Sequence, residues 1–299
     1  MKKVAIFGQS YSVNAEKEIS MLLSALEKHK VVVFFEEHFY SILNHKKYLT
    51  KKYATFNNFL DLNSSFDLFF SLGGDGTILR AISYIRDLNI PILGINTGRL
   101  GFLATIQKNT IEESIELLVS KQYDIQERTL LSIKTSPKIE HIDEFPFALN
   151  EITIARENTT SMIGVKTFLD QEYLTNYWSD GLIIATPTGS TGYSLSCNGP
   201  VLSPNSKNFV ISPIAPHNLN ARPMVIPDDT LIELEVESRE KSFLISLDSK
   251  ITSVPRDTKI SIQKSHFTIK TLIPHNQSFF TTLRTKLLWG EDTRNESNL

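Results

Sequence analysis

Leu68-Phe69-Phe70-Ser71-Leu72-Gly73-Gly74-Asp75-Gly76-Thr77-Ile78-Leu79 joins a short apolar run to an amphipathic segment through a glycine-rich turn. Five largely apolar residues bounded by a turn read as a buried strand, and Ile78, Leu79, Ile82 and Ile85 recur at helical spacing after it. A strand that turns through glycines into a helix lets the backbone approach a ligand closely, and the N–H groups at the helix start attract phosphate. Asp75 would repel a phosphate placed there. It is therefore either a turn residue or a functional acid that ligates metal or accepts a proton from an attacking hydroxyl.

Working outward, Val4 to Phe7, Val31 to Phe35 and Ile90 to Ile95 also read as buried strands, with Ile19, Leu22, Leu23 and Leu26 at helical spacing between the first two. Alternation of this kind predicts an α/β N-terminal domain, a parallel sheet flanked by helices. The basic cluster His45-Lys46-Lys47 with Lys51-Lys52 reads as the solvated face of a helix. From about Tyr123 the texture changes to β-branched runs broken by turn residues, and Ile232 to Val236 and Lys259 to Ile262 alternate polar with apolar. That predicts a mostly-β C-terminal domain. Helical spacing returns from Phe279 to Leu288. The expected domains are 1–123, rejoined by a C-terminal helix at 276–290, and 124–275, with a disordered tail at 291–299.

Composition narrows the partners. The 299 residues are 41% hydrophobic, enough for more than one core, and the formal charge of −2 gives no general attraction to nucleic acid or to an anionic membrane. Cys197 is the single cysteine, and the seven histidines are scattered without metal-finger spacing. The N-terminus reaches glycine too early for a secretory segment, and no apolar stretch approaches membrane-spanning length, so a cytoplasmic location is expected. No Gly-Lys dipeptide occurs, and no G-x-G-x-x-G follows the first strand, which excludes a P-loop and a Rossmann fingerprint. A second glycine cluster, Gly94, Gly98 and Gly101, brackets Asn96, Thr97 and Arg99. It reads as a tight crossover loop or as a further wall of the same carboxyl-end crevice.

In the β-rich half, Ser179-Asp180-Gly181-Leu182-Ile183-Ile184-Ala185-Thr186-Pro187-Thr188-Gly189-Ser190-Thr191-Gly192-Tyr193-Ser194-Leu195-Ser196 follows an apolar strand with a dense run of hydroxyls and glycines. Small hydrogen-bonding groups beside an aromatic face suit an adenine, a ribose or a carboxamide. The rival, a serine nucleophile, lacks the G-x-S-x-G elbow. Asn150-Glu151 is a polar pair where a strand begins.

Four blocks in order, Gly73 to Thr77, Leu149-Asn150-Glu151, Ser179 to Ser196, and Pro216-His217-Asn218-Leu219-Asn220-Ala221-Arg222-Pro223, resemble the NAD kinase family from Asp67 to Trp289. The glycine loop alone is similar also to those of diacylglycerol-type lipid kinases and phosphofructokinases. The resemblance implies transfer of a phosphoryl group from ATP or polyphosphate to the 2′-hydroxyl of the adenosine ribose of NAD. Asp75 would accept the proton, with Gly74 and Gly76 beside the ligand and Arg80 neutralising phosphate. Asn150 and Glu151 would be the dinucleotide-contacting pair, and Asp180 with Thr191, Gly192, Tyr193, Ser194, Leu195 and Ser196 the NAD-binding loop. A divalent cation, Mg²⁺, and a homodimer or homotetramer are also implied. The chain departs from the family pattern at Gly192, where many members have alanine, and at Trp178; Ser161 and Lys250 occupy other variable positions. These leave donor choice and the preference between NAD and NADH open. Two other readings remain: a lipid kinase, which an exposed apolar patch and vesicle binding would reveal, and a non-catalytic NAD-sensing module, which would bind NAD without turnover.

Overall fold

The structure, a computed structural model, describes residues 1–9, 16–98, 100–158, 161–218 and 220–288. The chain divides into two compact units, Met1–Gln126 with the chain from Ile269 onward, and Glu127–Thr268. In chain order the first unit contains β1 (Lys3–Gly8), α1 (Glu16–Lys28), β2 (Val32–Glu36), α2 (Glu37–His45), β3 (Ala54–Phe56), β4 (Leu68–Leu72), α3 (Asp75–Ile85), β5 (Ile92–Asn96), β6 (Ile106–Gln107) and α4 (Ile111–Val119). The second contains most of β7 (Tyr123–Ser136), then α5 (Glu140–Asp143), β8 (Phe147–Ala148), β9 (Glu151–Ala155), β10 (Ile163–Leu169), β11 (Glu172–Ser179), β12 (Gly181–Ala185), α6 (Tyr193–Ser196), β13 (Asn208–Ile214), β14 (Met224–Pro227), β15 (Ile232–Glu237), β16 (Ser242–Leu247) and β17 (Lys250–Pro255). The long strand β18 (Lys259–Pro274) leads back into the first unit, which ends with α7 (Phe279–Leu287). The boundaries differ from the expected 123/124 and 275/276 because each runs through a long strand, β7 or β18. The tail at 291–299, with 289 and 290, lies outside the described residues.

In the first unit β3, β2, β1, β4 and β5 lie side by side and parallel, with β6 and the end of β18 also parallel to β5. Every residue of β4 and β5 is buried, which is why their sequences are continuous apolar runs rather than alternations. Helix α1 buries Ile19, Leu22 and Leu26, and α3 buries Ile78, Ala81, Ile82 and Ile85, the stripes that helical periodicity requires. Strand order reverses direction at β1: the chain leaves it toward β2 and returns to its other side at β4. The carboxyl ends of β1 and β4 therefore flank the topological switch point, where open α/β sheets leave a crevice. Of the basic cluster, His45 ends α2 and the four lysines follow it off the helix, where Lys51 pairs with Glu27 at 2.5 Å.

The second unit is built from antiparallel strands. One sheet runs β14-β13-β12-β9-β16-β17; the other contains β11, β10, β15 and the first part of β18, with β7 beside β18 and β8 beside β7. Their facing side chains, among them Ile152, Val165, Ile184, Phe209, Leu234, Phe243 and Ile262, form one core. Strand β12 is apolar throughout because both its faces are covered. Leu182 and Ile184 enter that core, while Ile183 and Ala185 pack with Val210 against Cys197 and Leu202 on the other side.

Candidate active site

Gly73 to Thr77 turns from β4 into α3 at the switch point. Gly73 has φ +148°, and a Cβ there would lie 2.2 Å from the Thr77 hydroxyl oxygen, so only glycine fits. At Gly74 and Gly76 a Cβ would meet nothing within 4 Å. These two glycines leave open space over the backbone where α3 begins, and the cap residue Gly74 makes no side-chain hydrogen bond to the helix. Donors at that end are available for an anion. Arg80 is exposed one turn further on, and the Gln9 carboxamide oxygen, at the carboxyl end of β1, accepts from its Nε and Nη1 at 3.1 and 2.6 Å.

Asp75 is the first residue of α3, and its carboxylate accepts three consecutive backbone N–H groups. Phe102 donates to Oδ2 at 2.8 Å, and Leu103 and Ala104 donate to Oδ1 at 3.0 and 2.9 Å. A Cβ at Gly101 would stand 1.9 Å from Asp75 Oδ1, so this glycine is what lets the carboxylate reach the loop. The second glycine cluster thus has two distinct purposes. Gly94 allows Ile78 and Ala104 to close on the sheet, Gly101 seats Asp75, and Arg99 lies outside the described residues. Asn96 Oδ1 accepts from the Gly98 N–H at 2.7 Å, a turn within that loop.

In the second unit the Asn150–Glu151 pair opens β9 and interlocks with the hydroxyl-rich segment. The Thr186 N–H donates to the Asn150 carbonyl at 2.9 Å, Thr186 Oγ1 donates to the Leu149 carbonyl at 2.6 Å, and a Cβ at Gly189 would sit 2.1 Å from the Asn150 carbonyl oxygen. Glu151 is 8% exposed. Burial and the neighbouring Asp248 charge push its carboxyl up to about 8, against a Tyr193 backbone N–H that pulls the other way. Asn150 Oδ1 and Glu151 Oε2 are buried without a hydrogen-bond partner, the condition of groups that await a ligand or water. Asp180 pairs with Arg156 at 2.8 Å, a partner the sequence gave no reason to single out.

The segment 186–196 differs from expectation in where its hydroxyls point. Ser190 and Ser194 are fully buried; Ser190 Oγ donates to the Pro187 carbonyl, and Ser194 Oγ bonds Ser212 Oγ at 2.9 Å. Thr191 Oγ1 donates to the Thr188 carbonyl at 3.2 Å. The buried Ser190 and Ser194 hydroxyls thus fix the loop, because buried hydroxyls need partners, while the half-buried Thr191 donates to a carbonyl and keeps its acceptor side. What the segment presents outward is Tyr193, 46% exposed, with Ser196; Gly192 and Leu195 are half-buried. Tyr193 and Ser196 line a cavity of 630 Å³ together with Pro216, Asn218, Arg222 and Pro223. The third and fourth sequence blocks therefore meet at one cavity. His217 is held by its N–H on the Trp178 carbonyl, and Leu219 lies outside the described residues.

An α/β unit with a Gly-Gly-Asp-Gly-Thr turn at its strand-order switch, in one chain with an antiparallel β unit, fits the class of glycine-loop kinases that the sequence resembles. Comparison with known proteins resolves the class. The profile of the ATP-NAD kinase N-terminal domain matches residues 4–123, and that of the ATP-NAD kinase C-terminal domain matches 149–274. The NAD kinase of Christiangramia forsetii is 53% identical over 98% of this chain and all of its own length; that of Flavobacterium psychrophilum is 52% identical with the same coverage. The NAD kinase of Bacteroides fragilis is 42% identical over 98% of this chain and 99% of its own. Among solved structures, yeast NADH kinase complexed with NADH has the same fold, with a TM-score of 0.87 at 21% identity, over 99% of this chain and 89% of that one. An NAD kinase from Archaeoglobus fulgidus in complex with ATP gives a TM-score of 0.70 at 27% identity over 96% and 98%. The chain belongs to the ATP-NAD kinase family.

Proposed function

We propose that this chain is an NAD kinase, an enzyme that transfers a phosphoryl group from ATP or polyphosphate to the 2′-hydroxyl of the adenosine ribose of NAD, making NADP. The observation that carries its mechanism is the seating of Asp75. Oδ1 already accepts two N–H groups, but Oδ2 accepts only one, and a carboxylate oxygen has room for two. Oδ2 therefore keeps one acceptor site for the ribose hydroxyl. As the 2′-oxygen attacks the terminal phosphorus of the donor, its proton passes to Asp75, and ADP or a polyphosphate shortened by one unit leaves. Arg80 and the open start of α3 neutralise phosphate charge, and catalysis rests on positioning and electrostatics without a covalent intermediate.

Tyr193 and the cavity beside it suit a flat heterocycle, with Asn150 and Glu151 offering their unpartnered polar atoms to the dinucleotide. Among the described residues no three His, Cys, Asp or Glu side chains gather as a metal site. A divalent cation such as Mg²⁺ would enter with the donor phosphates and would supply charge neutralisation there. A cytoplasmic location is part of the same reading, and exposed Trp178, Tyr173 and Met162 on or beside the β10–β11 hairpin support assembly into a homodimer or homotetramer, which sedimentation would measure. Among the described residues no helix is long and apolar enough to cross a membrane.

The test is purified protein with NAD, Mg²⁺ and either ATP or polyphosphate, with NADP read by an NADP-specific dehydrogenase. Asp75→Asn should lower kcat by ~10²–10⁴-fold while leaving NAD binding in place. Gly101→Ala, which displaces the carboxylate without removing it, should lower kcat in the same way. Loss of NAD binding in both variants would assign Asp75 to holding its loop instead, and NADP formation at the parent rate by folded Asp75→Asn would remove it from the chemistry.

A further inference from the structure

Asp248 occupies the tip of the β16–β17 hairpin, where the ladder ends at the Leu247–Lys250 pair and the strands themselves require no carboxylate. Three consecutive backbone N–H groups end on it: Leu149 on Oδ2 at 2.9 Å, and Asn150 and Glu151 on Oδ1 at 2.8 and 3.1 Å. The tie is reciprocal, since the Asp248 N–H donates to the Glu151 carbonyl at 3.0 Å. Ser246 Oγ braces the tip by donating to the Asp248 carbonyl at 3.1 Å. The φ of Asp248 is +51°, a left-handed conformation that Asp and Asn adopt more readily than most residues. Immediately beyond the clamped amides stand the two buried polar atoms without partners, Asn150 Oδ1 and Glu151 Oε2.

From this geometry we infer that Asp248 is a positioning residue for dinucleotide binding: it fixes the backbone of Leu149 to Glu151 so that the Asn150 and Glu151 side chains meet the polar groups of NAD. The inference rests on the reading of that pair as dinucleotide contacts. The clamp also has an electrical side. Burial pushes the Asp248 carboxyl up to about 6, against its three N–H donors and Lys250, which hold it down, while burial and the Asp248 charge push Glu151 up to about 8. Between those values Asp248 is ionised and Glu151 keeps its proton, so Glu151 offers an O–H donor to the ligand.

Three full-length variants separate the two readings: Asp248→Asn, Asp248→Ala and Glu151→Gln. NAD affinity is measured by titration calorimetry across the pH range spanning both carboxyls, with thermal unfolding to confirm folding and hydrogen exchange to follow the amides at 149–151. Asn keeps the left-handed turn and one acceptor oxygen, so Asp248→Asn tests the charge even where Asp248→Ala fails to fold. Both Asp248 variants should lose amide protection at 149–151 and weaken NAD binding by about ten- to hundredfold, the scale of one lost charge-assisted hydrogen bond. In Asp248→Asn the alkaline loss of NAD affinity should also move to lower pH, because Glu151 no longer has a like charge beside it. A purely architectural Asp248 would leave that limb in place. Parent-like NAD affinity and pH profile in the folded Asp248 variants, with binding weakened in Glu151→Gln, would overturn the positioning role alone. Parent-like NAD affinity in Glu151→Gln would overturn the reading of the pair on which it rests.

Discussion

Glu151 illustrates how a single residue trades stability for function. Its unfolded carboxyl has the ordinary value of 4.5, whereas the folded one is raised to about 8. The native state therefore holds a proton that the unfolded state releases, and stability falls as pH rises from the lower value through the higher one. Glu151→Gln should remove that dependence. At pH above the folded value the variant should be more stable than the parent by ~1 kcal/mol or more, and the difference should vanish as pH falls below the unfolded value, as read by denaturant unfolding across pH. At this scale the sequence singles out Asp75 as a candidate, because an acid among glycines at a strand-to-helix turn conflicts with phosphate binding and so draws notice. It concealed Asp248, since Leu247-Asp248-Ser249-Lys250 reads as an ordinary hairpin turn in which Asp is common. Gln9 and Arg156 were equally silent, each acquiring its meaning from a partner distant in sequence.

Elements were more legible than side-chain directions. The runs at 4–7, 68–72 and 181–185 are apolar because both faces of their strands are buried, and that demand is written into consecutive residues. The reading of 259–262 as a short strand stops well before Pro274, because alternation is interrupted by Lys264 and His266 although the ladder continues. No periodicity announces that the hydroxyls of Thr186, Ser190 and Ser194 turn inward; their direction depends on partners supplied by the folded chain around them. Helix α7 offers a test at this scale. Ser278 caps it by accepting the Thr281 N–H at 3.1 Å, and the helix lays Phe279 and Lys286 beside the ring of Phe102, in the loop that Asp75 clamps. Ser278→Ala should cost about 1 kcal/mol of stability, with faster hydrogen exchange in the first turn of α7.

For the whole molecule, the division into units decides what can stand alone. Every buried residue of the sandwich core lies between Leu131 and Ile262, within one continuous stretch. The core of the first unit instead draws Leu272 from the returning segment, whose Thr271 pairs with Ile92 on β5. Residues 127–268 expressed alone should give a cooperative thermal transition with a β-type circular dichroism spectrum, whereas 1–126 alone should lack such a transition unless 269–288 is supplied. The change of texture near Tyr123 lies close to the division at Gln126, whereas a segment returning to the first unit has no signal in the sequence beyond a late return of helical spacing. The two carboxylate clamps, Asp75 on residues 102–104 and Asp248 on 149–151, add a rule of substitution to both units. Each clamp grips main-chain amides and is blind to the side chains those amides carry. The clamps themselves therefore set no side-chain requirement at these six positions, which packing and ligand contacts choose instead, and the one residue they forbid at all six is proline, which has no N–H to give.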